Sequence, residues 1–416
     1  MSALFNSHKV GKIDLQHRIV LAPMSRYRST RRMAPPPITA EYYAQRATPG
    51  GLLITEATHI NPEGTPVWNI YPAIRDHGGE SPGIWTAEQT EAHRVVVEAV
   101  HARGAYISCQ LQHCGRVAQD DMKHHQLVKE SGLPVGPVSS SAVSITPSAD
   151  KGDNYSWDQP SSPPRALSES GIARVIKDYA HAARNAVAAG FDCVELHAGH
   201  GYLISQFLCD SVNQRTDRYG GSINNRCRLL FDVVAALIEA VGPFRVGVRL
   251  SPTFKAHIQY FDVWDSDPLA LYSAAIDGLN DYPLAYLLLT EPRAGGLASP
   301  ADCDPAFTQP LSSARFRNLY RGTLMAAGGF TPTSAARAVE NGDYDLVAFG
   351  RWFLSNPDLP NRIRKGSPLN VYDRATFYSN GIEGYTDYPD EEGGMGEPGK
   401  YPQMNQDKIG TSLAHP

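Results

Sequence analysis

The chain has 416 residues, 42% hydrophobic and 19% charged, with 36 Gly, 31 Pro and a formal net charge of -5. A chain this long can bury about three-quarters of its unfolded surface without disulfides or metal, and its low charge content argues against disorder. The acidic balance excludes a broad nucleic-acid footprint, which needs a basic domain, and no apolar run approaches the ~18 residues of a membrane helix.

The N-terminal stretch MSALFNSHKVGKIDLQHR has no apolar core and reads as mature sequence, not as a signal peptide. Short apolar runs then alternate with helical patterns. The runs are 19–24 (IVLAPM), 52–58 (LLITEAT), 106–113 (YISCQLQH), 193–198 (CVELHA), 246–251 (VGVRLS), 286–291 (YLLLTE), 324–329 (LMAAGG) and 346–351 (LVAFGR). Most are apolar throughout, as strands of a parallel sheet covered on its outer face should be. Between them, Thr86 and Gln89 make a capping-box pair for a helix closed by Gly104. Ile172, Val175, Ile176 and Tyr179 share one helical face ahead of Gly190. A single helical stripe runs from Ile223 through Cys227, Leu230, Val234 and Leu237 to Val241. Pro332 suits the first position of a helix ending before Gly342.

Eight strands alternating with helices predict an α/β fold, a (β/α)8 TIM barrel in a single domain spanning 1–389. No GxGxxG opens a helix after an early strand, so the competing doubly wound sheet lacks its fingerprint. Residues 114–166, rich in Ser, Pro, Asp and His, are expected to form a long capping excursion after strand three. Residues 390–416 are Gly-, Pro- and acid-rich and are expected to form a mobile tail. The six cysteines (109, 114, 193, 209, 227, 303) form no CxxC pair and read as buried thiols of a reducing compartment. The expected location is the cytoplasm, with plastid and peroxisome as alternatives.

Barrel active sites lie at the C-terminal ends of the strands. The residues delivered there are Ser25, Glu56 and Ala57, Gln110 and His113, His197 and His200, Arg249, Arg293, Gly329, and Gly350 with Arg351. His197-Ala-Gly-His200 has three readings. Two imidazoles three apart can share a metal, though no third ligand stands at diagnostic spacing. They can be structural histidines in a loop. They can also be two N–H donors aimed at one oxygen where negative charge develops. Tyr202 could then supply a proton, its ordinary pKa of about 10 keeping it protonated at neutral pH. Gly328-Gly329 and Gly350-Arg351 follow the two strands that commonly build a barrel's phosphate site. Arg249 is either a structural ion-pair partner or a permanent cation beside an anionic cofactor.

An ordered set of motifs adds to this reading. LAPMSRYRS (21–29), YYAQRATPGGLLITEAT (42–58), CQLQHCGR (109–116), AGFDCVELHAGHGYLISQFL (189–208), NQRTDRYGGSINNR (213–226), VGVRLSP (246–252), EPR (291–293), AAGGF (326–330), FGRWFLSNPDLPNRI (349–363) and TFYSNGIEGYTDYP (376–389) are its carriers. Together they resemble the Old Yellow Enzyme family of FMN-dependent ene-reductases, most closely its plant-type 12-oxophytodienoate reductases. The resemblance covers residues 4–389. It implies non-covalent FMN, NADPH as hydride donor, and a small enone or enal as substrate, with no nucleic-acid or membrane partner, in a monomer or homodimer. By position, Pro23, Met24 and Ser25 would line the isoalloxazine, Ala57 would offer backbone, and Gln110 would bond the pyrimidine ring. Arg249 would sit beside N1/O2, and Gly328, Gly329, Gly350 and Arg351 would take the phosphate. The substrate carbonyl would meet His197 and His200. Tyr202 would protonate the α-carbon after hydride reaches the β-carbon from flavin N5. Gln112, Arg293 and Tyr378 would border the substrate.

Three positions depart from the family pattern. Ser25 stands where most members have Thr, and the hydroxyl survives. His200 is the histidine variant of a position that is Asn in the yeast-type branch. Gln112 replaces a Trp common in the QLWH motif, which predicts a roomier pocket.

Overall fold

The computed structural model describes residues 2–65, 80–118, 126–133, 136–146, 162–252, 260–291 and 313–409. Arg293 and Cys303 lie outside them. Eight parallel strands make the barrel: β1 (Ile19–Leu21), β2 (Leu52–Ile54), β3 (Tyr106–Gln112), β4 (Cys193–His197), β5 (Val246–Leu250), β6 (Tyr286–Thr290), β7 (Leu324–Ala327) and β8 (Leu346–Phe349). Each pairs with the next, and β8 pairs with β1 to close the ring. Every strand starts at the head of its predicted run. All eight end short of it, because the chain leaves the ladder to build the barrel mouth. The run at 52–58 divides, with Thr58–His59 pairing separately against Leu111 and Gln112 of β3.

Strand alternation separates two cores. Leu53, Ile107, Leu111, Val194, Leu196, Val248, Leu287 and Val347 point outward beneath the helices. Val20, Leu52, Cys193, Tyr286, Leu288, Met325 and Leu346 fill the barrel. An antiparallel hairpin, His8–Val10 with Ile13–Leu15, buries Val10, Ile13 and Leu15 against residues that open β4, β6 and β8. It stoppers the N-terminal end. The mouth at the opposite end is where polar groups can meet a ligand.

The outer helices are α1 (Pro37–Arg46), α2 (Ala87–His101), α3 (Glu169–Ala189), α4 (Arg228–Val241), α5 (Pro268–Leu279), α6 (Pro332–Glu340), α7 (Arg351–Ser355) and α8 (Leu359–Lys365). The capping box at α2 is present, Thr86 accepting from the Gln89 N–H and Gln89 accepting from the Thr86 N–H. Pro332 occupies the first turn of α6 behind a Thr331 cap. The stripe from Ile223 to Val241 is two helices, Ile223–Arg226 and α4, divided at Cys227.

The described part of the excursion includes a short helix, Gln126–Ser131, and a parallel pairing of Val138–Ser139 with Arg165–Ala166. The C-terminal segment differs from the expected mobile tail. Gln403–Met404 pairs antiparallel with Leu369–Asn370. Tyr401 packs on Tyr388 with ring centroids 4.0 Å apart, and its hydroxyl donates to Asp387. The segment is docked as far as Ile409, whose side chain joins the outer core. Its aromatic residues provide the apolar contact that the Gly- and acid-rich composition conceals.

Candidate active site

The barrel interior changes character from stopper to mouth. Inward positions run Cys193, Glu195, His197 along β4, Ser108, Gln110, Gln112 along β3, and Gly247, Arg249 along β5. Glu195 lies level with Gln110, and His197 level with Arg249. Thus the strands themselves present a carboxyl, two amides, an imidazole and a guanidinium toward the mouth.

His197 ends β4 and is buried, and His200 follows in the left-handed region at φ 54. For a residue with a Cβ that conformation is costly. It is held by the His200 N–H donating to Ser251 Oγ at 2.6 Å. Gly199 permits the approach, since a Cβ there would sit 2.7 Å from that oxygen. The Gly199 N–H donates to His197 Nδ1 at 3.2 Å, which leaves the His197 proton on Nε2. His197 Nε2 and His200 Nδ1 are 3.3 Å apart. Burial, the Arg249 charge and the neighbouring histidines hold both pKa values well below 6.5, so both rings are neutral at physiological pH. The Tyr202 ring stands 5.2 Å from that of His197, nearly perpendicular to it. Two imidazoles and a phenol therefore converge on one side of the mouth.

The loops carrying them are locked by residues that the sequence did not single out. Buried Gln206 accepts from Ser139 Oγ and the Arg116 N–H, and donates to the carbonyls of Cys114 and Gly201. Arg116 donates to the carbonyls of Phe261 (2.7 Å) and Asp262 (3.0 Å), and to Val143 (2.9 Å). Phe261 and Asp262 both have positive φ, 55° and 58°. The clamp sets the Phe261 ring 5.5 Å from Tyr202. Gln112, inward-facing as expected, is buried with its amide donating to Cys114 Sγ at 3.1 Å.

Arg249 donates from Nε to Thr290 Oγ1 at 3.2 Å and from Nη1 to the Pro23 carbonyl at 3.4 Å. Gln110 donates from Nε2 to Glu195 at 2.6 Å. Met24 and Ser25 follow β1 and are part-exposed, while Pro23 and Ala57 are buried. Glu56, its pKa pushed up to about 7 by burial, accepts the N–H groups of Arg26 and Tyr27 and so shapes the loop that presents Ser25. Arg26 and Arg28 donate to the carbonyls of Phe377, Gly384, Gly381 and Glu383. They thereby carry Tyr378 to within 5.5 Å of Tyr27.

Gly328 and Gly329 follow β7 with φ of 113° and 66°, and Gly350 with Arg351 opens α7 after β8. Met24, Ser25, His200, Tyr202, Gly328, Gly329, Gly350, Arg351 and Tyr378 are all part-exposed, in a barrel whose strands are otherwise buried. Of the residues expected at a cofactor, Met24, Ser25, Gly328, Gly329, Gly350 and Arg351 are thus part-exposed, while Pro23, Ala57, Gln110 and Arg249 are buried. The donor set fits FMN in kind: Gly328 and Gly329 leave room for a close backbone approach after β7, Arg249 and Arg351 are cations, and Gln110 offers an amide. Of the expected site residues, Arg293 alone lies outside the described ones.

Among curated relatives, the chain is 43% identical to putative 12-oxophytodienoate reductase 4 of Oryza sativa subsp. japonica over 93% of this chain and 92% of the relative. It is 41% identical to 12-oxophytodienoate reductase 2 of Arabidopsis thaliana, covering 94% and 96%. The structure of the Old Yellow Enzyme homologue from Zymomonas mobilis matches with a TM-score of 0.79 at 36% identity, over 93% of this chain and 99% of that one. Morphinone reductase in complex with tetrahydroNAD matches at 0.78 and 36%, over 94% and 98%. Residues 3–370 match one family model, and with that match the polar mouth of this closed barrel acquires its affiliation: the chain belongs to the NADH:flavin oxidoreductase / NADH oxidase family.

Proposed function

We propose that the protein is an FMN-dependent ene-reductase that uses NADPH to reduce the C=C bond of α,β-unsaturated carbonyl compounds. When bound, FMN supplies the hydride that reaches the substrate β-carbon. The observation that carries the reading is the pair His197 Nε2 and His200 Nδ1, 3.3 Å apart, with Tyr202 beside them and Arg249 level with His197. Neutral imidazoles can each donate one N–H to the carbonyl oxygen, which becomes negative as hydride arrives. Fixed donors at such an oxyanion contribute about 3 kcal/mol each elsewhere. Tyr202 holds a proton for the α-carbon. Arg249 would be the cation for the pyrimidine edge of the flavin and Gln110 its amide partner. Pro23, Met24, Ser25 and Ala57 would line the ring, and Gly328, Gly329, Gly350 and Arg351 would receive the phosphate. Phe261, Tyr378 and Gln112 border the substrate. Similarity to reductases named for 12-oxophytodienoate supports an enone as substrate class.

The five described cysteines are buried free thiols, in keeping with a reducing compartment, and we place the protein in the cytoplasm. The test is anaerobic. The FMN-loaded protein should be bleached by NADPH and recover its flavin colour when a cyclic enone is added, giving the saturated ketone in equal amount. Protein that retains no FMN, or whose reduced form is not reoxidised by the enone, contradicts the proposal.

A further inference from the structure

We propose that Glu195 is a positioning residue for the cofactor: it sets the direction of the Gln110 carboxamide, so that the amide presents its carbonyl oxygen to an N–H of the flavin pyrimidine edge. The inference rests on the FMN reading above. Glu195 is the middle residue of β4 and fully buried inside the barrel. An apolar residue there would stabilise the fold at least as well, since a buried carboxyl is costly to desolvate. What surrounds it is specific. Gln110 Nε2 donates to Glu195 Oε1 at 2.6 Å. The Gln110 backbone is pinned too, its N–H donating to Thr55 Oγ1 at 3.0 Å. On the other side the Tyr286 hydroxyl lies near Glu195 and 3.1 Å from Ser108 Oγ. The Tyr286 ring occupies the space of an absent side chain at Gly247, where a Cβ would fall 2.3 Å from it. A glycine, a tyrosine and a serine thus surround this one carboxyl group.

Its consequence is chemical. Glu195 Oε1 accepts, so it takes the nitrogen end of the amide and leaves Gln110 Oε1 as the acceptor for the next partner. The flavin pyrimidine edge carries an N–H between two carbonyls, and an amide turned this way complements the N–H. Turned the other way, it would set donor against donor.

The test compares full-length holoenzymes carrying FMN labelled with 15N at N3. Glu195→Gln is nearly isosteric but can donate or accept, so it no longer dictates the direction of Gln110. It should weaken FMN binding about tenfold, the size of one lost hydrogen bond, and shift the N3 resonance. In a Gln110→Ala background the same substitution should change neither, because Glu195 acts through Gln110. Glu195→Met, similar in volume and without a donor, should reproduce the weakening and serves if the first variant folds poorly. Unchanged FMN affinity and N3 shift in both variants would overturn the inference, as would an equal effect in the Gln110→Ala background. Wild-type protein that binds no FMN would instead overturn the reading on which it rests.

Discussion

The two ends of this barrel obey the same alternation and do opposite things with it. At the stopper end, inward positions are Val20, Leu52, Cys193, Tyr286 and Leu346, sealed by Val10, Ile13 and Leu15 of the hairpin. At the mouth, the same inward rows continue as Glu195, His197, Gln110, Gln112 and Arg249. Stability is concentrated at one end and chemistry at the other, within a few residues along each strand. The mouth bears the costs: buried ionisable groups, left-handed backbone at His200, Phe261 and Asp262, and long-range arginine clamps that hold those features in place.

Substitutions can break that division. The largest effect expected is at the mouth. Tyr202→Phe should slow reoxidation by a simple enone on the order of 10³-fold while leaving flavin reduction by NADPH within a few fold, since only the former uses its proton. Stopped-flow measurement of the two half-reactions checks this, and equal losses in both would assign Tyr202 to binding or folding. At the other end, Leu346→Ala should cost about 3–4 kcal/mol of stability through the cavity it leaves. The kcat/KM of the folded fraction should stay within twofold. A large activity loss without a stability loss would dissolve the division.

Acid should act on the histidines that burial keeps neutral. The pKa of His59 is lowered to about 3, and those of His17 and His93 to about 4, from 6.5. Each contributes stability that is complete above about 6.5 and lost as pH falls toward those values, because the unfolded chain binds the proton first. Glu56, raised to about 7, works the opposite way. For these four groups, three losses against one gain give a fall of about 3 kcal/mol per pH unit near pH 5, and His197 and His200 act in the same sense as the three. Urea midpoints at pH 7 and pH 5 test this; a higher midpoint at pH 5 contradicts it. The smallest effect concerns Gln112. Gln112→Trp should change the enantiomer ratio of a bulky prochiral enone several-fold with little change in rate. An unaltered ratio would mean that residue 112 does not shape the pocket.

Much of the fold was legible because it is local. Apolar runs of strand length, Thr86 with Gln89, and Pro332 are signals carried by neighbouring residues. The mouth was legible in part for the same reason, since polar residues at strand ends interrupt apolar runs. What escaped is long-range. The hairpin stopper consists of two three-residue strands with too few positions to show a period. Arg26 and Arg28 act on carbonyls some 350 residues away, and nothing around either arginine announces this. Glu195 reads as an interruption in CVELHA until the register places it beside Gln110. The docked C-terminal segment relies on Tyr401 and Ile409, sparse apolar residues within a polar composition.

The central claim is that His197 and His200 act together as donors to one oxygen, and a phenol titration tests it most directly. A phenolate places its negative oxygen where the developing oxyanion would lie, and its ring can stack on oxidised FMN to give a long-wavelength charge-transfer band. The wild-type holoenzyme should show that band on titration. The His197→Ala/His200→Ala protein should bind FMN yet give no band at the same phenol concentrations. A double variant that retains the band at similar phenol affinity contradicts the account.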